Sequence, residues 1–190
     1  MPRAGLTPAR VVAEAAAVAD EVGFERLTLA AVAARVGVAL PSLYKHVRGL
    51  DGLRRGVALL GTRELAAELS TAAAGRTTAD ALHSMSHAYR DYARRRPGVV
   101  AASVIAPEPE DAEHVEAAEQ VLTVLAAALS GYHLSEPDRI DAIRSFRAAL
   151  HGFTTLEAAG GFRIPQSVDD SFDRLIDALH LAFTSWGATA

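Results

Sequence analysis

The stretch Leu27–Val47, LTLAAVAARVGVALPSLYKHV, constrains this chain more than any other. Leu29, Val32, Ala33 and Val36 fall on one side of a short helix. Ala33 is small enough to let a second helix cross closely. Gly37 suits the left-handed turn that ends a helix. A second helix then starts near Leu40-Pro41, where proline fits the first turn. Leu43 and Val47 return to the core, which leaves Ser42, Tyr44, Lys45 and His46 on the outer side. Helix, glycine turn and a second helix with a polar free face describe a helix-turn-helix, whose second helix enters the DNA major groove.

The charge pattern agrees with a localised nucleic-acid contact. The net charge of −4 argues against a uniformly basic binder. Its distribution is uneven: residues 1–63 hold nine Lys/Arg against five Asp/Glu, and the remainder holds ten against eighteen. One positive module beside an acidic remainder is expected when only that module touches phosphate. Half of the 190 residues are hydrophobic, enough for a packed core. The chain has no cysteine, which excludes disulfides and thiolate sites. The opening MPRAGLTPAR lacks the apolar stretch of a signal peptide, and no apolar run reaches the roughly 20 residues of a membrane helix. These features predict a cytoplasmic protein with no membrane partner.

The rest reads as helix after helix, with no useful strand-like alternation. Thr7-Pro8 opens the first, with Val11, Ala15, Val18 and Val22 on one face and Gly23 at its end. Thr28 caps the next. Arg48–Gly52 reads as a turn, followed by a helix to about Ser70 and a loop over 71–78. Residues 78–96 place Leu82, Met85, Tyr89 and Tyr92 on one face, and Pro97-Gly98 breaks that helix. Short and long helices follow over about 99–106, 110–130, 138–158 and 169–187. Ser135-Glu136-Pro137-Asp138 is a capped start with an acidic first turn. The expected fold is all-α: a three-helix head followed by a helical bundle, about nine helices in total. It divides into a helix-turn-helix DNA-binding domain over 1–50 and a ligand-binding and dimerisation domain over 51–190. The last two helices, about 138–158 and 169–187, carry wide apolar stripes. Either one bundle buries both, or two copies join them into a four-helix interface.

The run LTLAAVAARVGVALPSLYKHVRGLDGL resembles the DNA-binding head of the TetR family of transcriptional regulators. The shared pattern is a threonine-capped helix, Ala-x-x-x-Gly, then Leu-Tyr-x-His-Val and a leucine after a short turn. The resemblance covers about residues 7–60. Phe146–Phe153, with its His151-Gly152, and the following Leu156-Glu157 and Gly160-Gly161-Phe162 look like the C-terminal domain of one subgroup of that family. The resemblance implies a homodimeric repressor, released from a double-stranded DNA operator by a small-molecule effector. It implies that Thr28, Tyr44 and His46 hold backbone phosphates, and that Leu40, Pro41, Ser42 and Lys45 face base edges. Two departures are visible. Leu50 stands where many members carry a phosphate-binding lysine, a role Arg48 can take. Ala30 stands where some carry a base-reading arginine.

Other constellations carry weaker signals. His83 and His87 have the i, i+4 spacing of a helical metal chelate. Arg90 and Arg94 continue the same stripe, and guanidiniums disfavour a bound cation. The stripe reads as a polar face, a pocket wall or, least favoured, a metal site; no metal or cofactor is expected. Arg94-Arg95-Arg96 fits a helix C-terminus, with a second DNA contact as the alternative. Met85, Tyr89, Tyr92, Phe146 and His151 are core residues that can also wall an effector pocket. There is no glycine elbow, phosphate-cradling loop or convincing acid/base pair, so an enzyme is not expected. The alternative is a helical small-molecule-binding protein or enzyme with a vestigial head.

Overall fold

The computed structural model describes residues 6–188, so the N-terminal reading rests in part on residues 1–5, outside the described ones. Among the described residues there are nine α-helices, two short 3-10 turns and no strand. The helices are α1 (Pro8–Val22), α2 (Leu29–Val36), α3 (Leu40–Leu43), α4 (Gly49–Ala73), α5 (Thr78–Arg95), α6 (Pro97–Ser103), α7 (Ala112–Leu129), α8 (Glu136–Ala158) and α9 (Val168–Gly187). No helix among them is long and apolar enough to cross a membrane. The chain forms two compact units: residues 1–65 with 96–118, and residues 66–95 with 119–190. This partition by packing differs from the division at residue 50, which concerns function.

In the first unit, local signals act where they stand. Thr7 Oγ1 accepts from Arg10 N and Thr28 Oγ1 from Ala31 N, each at 3.2 Å, so both cap their helices. Gly37 ends α2 at φ 70°, ψ 37°, a left-handed conformation that costs a residue with a Cβ. Val11, Ala15, Val18, Leu27, Val32, Leu43, Val47, Leu53 and Val57 form the core.

Three boundaries differ from the sequence reading. The second helix of the motif is shorter than expected: α3 ends at Leu43, and Tyr44–His46 form a turn. Val47 N still reaches Leu43 O at 3.0 Å, so the turn delivers Val47 to the core. Arg48–Gly52 is largely helix rather than turn, because α4 begins at Gly49. Burial of Leu53 and Val57 overrides the weak helix propensity of Gly49 and Gly52. Pro97-Gly98 starts a helix as well as ending one. Asp20 Oδ1, at the end of α1, accepts from Gly98 N at 2.9 Å and Val99 N at 3.0 Å. Its Oδ2 takes Arg96 Nε at 2.6 Å. A side chain 78 positions away thus caps α6. Gly98 permits the approach: a Cβ there would lie 2.1 Å from the Ala19 backbone.

In the second unit, α5 packs against α8 and α9. Leu82, Met85, Tyr89 and Tyr92 of α5 are buried, as their spacing predicts, with Phe146, Leu150, Phe172, Ile176 and Phe183. Ser135 and Ser167 cap α8 and α9. Within this core lies Arg90, only 3% exposed. Its Nε and Nη2 donate to Glu157 at 3.0 and 2.5 Å, and Asp169 lies 2.8 Å from Nη2. The guanidinium stacks on Phe172, 4.7 Å from the ring centre.

Candidate nucleic-acid interface and effector sites

The helix-turn-helix presents the residues read from its sequence in two groups. Leu43 and Val47 are buried and hold α3 and its following turn against the head. Leu40, Pro41, Lys45 and Arg48 are exposed, while Ser42 and His46 are half-buried. Tyr44 is 59% exposed, a large cost for an aromatic ring with no partner surface. Thr28 is exposed at the N-terminus of α2, where its hydroxyl is engaged by Ala31 N.

The positive charge of this unit is partly used internally. Arg35 pairs with Glu14 at 3.0 Å and Glu21 at 2.7 Å, which raises its pKa. Arg54 donates to the Glu25 carbonyl at 2.9 Å. Arg55 makes a two-pronged pair with Asp111, and these hydrogen bonds hold the Asp111 carboxyl below its ordinary range. Exposed Lys45 and Arg48 then carry charge directly beside the outward face of α3.

Two hollows lie in the same unit. One of about 920 Å³ has His46 and Arg48 on its wall with Val12, Arg55, Leu59 and Arg63. Another of about 500 Å³ is lined by Arg54, Ala58, Ile105, Ala106, Asp111 and His114. His114 Nε2 lies 3.2 Å from the buried Thr62 hydroxyl, and burial pushes the His114 pKa down. Sequence reasoning missed Asp111 and His114, whose partners on α4 are more than fifty positions away.

The effector candidates lie in the second unit. Met85, Tyr89, Tyr92 and Phe146 are buried and His151 is half-buried. Tyr89 and His151 come together, phenol oxygen to Nδ1, at 3.2 Å. Burial pushes the Tyr89 pKa up to about 12, so it remains a neutral hydroxyl. A smaller hollow of about 210 Å³ in this unit is lined by Phe153, Phe162 and Ile164 instead. His83 and His87 form a partly exposed polar stripe, with Asp177 and Asp173 of α9 at 2.9 and 3.0 Å.

A short α3 anchored from beneath, with Tyr44 and Lys45 turned outward and a separate helical unit rich in buried aromatics, defines a DNA-binding regulator. Comparison with known proteins narrows the class. Residues 11–53 match the bacterial regulatory proteins of the tetR family, and residues 82–179 match the tetracyclin repressor-like C-terminal domain. The chain is 34% identical to the HTH-type transcriptional regulator YobS of Bacillus subtilis over 172 residues, covering 90% of this chain and 88% of that protein. It is 37% identical to the HTH-type transcriptional regulator Rv0681 of Mycobacterium tuberculosis, covering 74% of this chain and 65% of that protein. Among solved structures, the regulatory protein SCO4313 superposes with a TM-score of 0.72 at 24% identity, covering 90% of this chain and 94% of that one. TetR from Acinetobacter baumannii superposes with a TM-score of 0.68 at 17% identity, covering 96% and 99%. Both likenesses are of fold. The chain belongs to the TetR family. It is a helix-turn-helix transcriptional regulator, from a family of regulators and not of enzymes.

Proposed function

We propose that this protein is a cytoplasmic homodimeric repressor, each copy of which reads one operator half-site through the outer face of α3 and the turn after it. The observation that carries the reading is Tyr44, 59% exposed between buried Leu43 and Val47. An aromatic ring held outward by anchors on both sides of it suits a phosphate contact through its hydroxyl. Thr28 and His46 take neighbouring phosphates, and Arg48 replaces the lysine missing at Leu50. Leu40, Pro41, Ser42 and Lys45 face the bases, with apolar contacts to thymine methyls. Residues 1–50 serve as the DNA-binding domain and 51–190 as the effector and dimerisation domain.

The dimer forms through α8 and α9, where Ile140, Leu156 and Leu181 are exposed at 45%, 54% and 67%. Two copies of these helices make a four-helix interface that buries those side chains. Half-sites read in successive major grooves are about 34–36 Å apart. A small-molecule effector held by the second unit, near Met85, Tyr89, Tyr92, Phe146 and His151, favours a dimer that fits the operator less well. A coupling of about 1–3 kcal/mol is enough to weaken DNA binding several-fold or more.

The test is operator binding by fluorescence anisotropy, on a site selected from random duplexes, across a salt series. Lys45→Ala is expected to weaken specific binding by at least about fivefold, in keeping with the roughly 1–3 kcal/mol of one base contact. Tyr44→Phe is expected to weaken binding to all sequences alike. Unchanged affinity in both variants overturns the docking face.

A further inference from the structure

We propose that α5 and α9 together form a binding site for a divalent transition cation of the zinc type, built from His83, His87 and Asp173, with Asp177 beside His83 at its edge. His83 and His87 stand one turn apart on α5, and Asp173 and Asp177 one turn apart on α9, so each pair shares a helix face. The two faces meet. His83 Nε2 lies 2.9 Å from Asp177 Oδ1, and His87 Nε2 lies 3.0 Å from Asp173 Oδ1. One donor atom each from His83, His87 and Asp173 lies within 4.8 Å of the other two. Zinc bonds of about 2.0–2.2 Å need donors roughly 3.3 Å apart, so the donors must draw together by about 1.5 Å at most on binding.

Asp173 Oδ1 supplies a second observation. It is shielded from solvent, yet its contact with His87 lacks hydrogen-bond geometry, so a buried carboxylate oxygen is left unsatisfied. A cation between the imidazole and the carboxylate satisfies both. Phe172, fully buried, stands edge-on to His87 with ring centres 5.5 Å apart and limits the ring's rotation. Two imidazoles and a carboxylate select zinc-type ions over calcium or magnesium, which take oxygen ligands.

The stripe's arginines, which in sequence argue against a cation, are answered by the fold. Arg90 and Arg94 both contact Glu157 and Asp169, so two guanidiniums meet two carboxylates. Asp173 and Asp177 instead face the two histidines. Their two negative charges are there for a divalent ion to balance.

The experiment is equilibrium dialysis of the EDTA-stripped full-length protein against ZnCl2, with CoCl2 as a spectroscopic probe. We expect saturation at one equivalent per chain with micromolar or tighter affinity, and a visible cobalt spectrum of tetrahedral type. His87→Ala and Asp173→Asn are each expected to lose at least about tenfold in affinity. His180→Ala, a histidine of the same unit paired with Tyr132 and outside the cluster, is expected to bind as the parent does. Circular dichroism of each apo variant checks the fold; should His87→Ala lose helix, His83→Gln takes its place. No saturable binding, or parental affinity in His87→Ala or Asp173→Asn, overturns the site. Because the readout is metal uptake without DNA, its outcome is separate from that of the operator test.

Discussion

Removing the carboxylate of Glu157 should cost more than removing the whole ion pair. Arg90 is almost wholly buried, with Glu157 gripping it through two hydrogen bonds and Phe172 stacked beneath. Glu157→Gln keeps the shape and leaves the guanidinium in place without its principal counter-charge. Orphaning a buried charge costs about 3–5 kcal/mol. Asp169 remains at 2.8 Å, but its side chain is 78% exposed, so it offsets only part of the loss. The expected destabilisation is about 2–3 kcal/mol, which for a chain of this size lowers Tm by about 5–10 °C. The double variant Arg90→Met, Glu157→Gln removes the charge instead of stranding it and should lie within about 1 kcal/mol of the parent. Urea unfolding of the parent, both single variants and the double closes the cycle.

The same pair sets a pH dependence. The hydrogen bonds from Arg90 are the largest influence lowering the Glu157 pKa from 4.5, ahead of an opposing effect of burial. The stabilisation is therefore complete above pH 4.5 and is lost as pH falls through the lower folded-state value. Glu157→Gln should flatten that acid limb. A double variant less stable than Glu157→Gln, or an acid limb unchanged by the substitution, refutes the reasoning.

Three further outcomes follow from the packing. Gly98→Ala places a Cβ 2.1 Å from the Ala19 backbone and should cost about 2–3 kcal/mol in chemical unfolding, by forcing α6 off α1. Thr28→Ala removes the cap on α2 and should cost about 1 kcal/mol, while Thr28→Ser restores most of it. The folded-state pKa of His114 is lowered from 6.5, chiefly by burial, so the unfolded chain takes the proton first as pH falls. Stability then declines as pH falls below 6.5, and His114→Asn should flatten that decline in unfolding titrations.

What was legible in the sequence was whatever acts across a few positions. Thr7, Thr28 and Ser135 cap within three residues, and Gly37 turns the chain locally. These signals place α1, α2 and the start of α8 without reference to the rest of the fold. The face Leu82, Met85, Tyr89, Tyr92 was legible for the same reason, since periodicity reports which side of a helix is buried. The Gly49 start of α4 was not, because glycine's local preference yields there to the burial of Leu53 and Val57.

The stripe His83, His87, Arg90, Arg94 shows why charge is harder to read than apolarity. Taken along α5 alone it is cationic and repels a metal. Its counter-charges are Glu157 on α8 and Asp169, Asp173 and Asp177 on α9, separated from their partners by 63 to 94 positions where hydrogen bonds are formed. A carboxylate changes the sign of a site from any distance in sequence, whereas a buried leucine needs only an apolar neighbour of any identity. The helices of this protein could therefore be read one at a time, but the electrostatics of the α5 stripe exists only once α8 and α9 have packed against it.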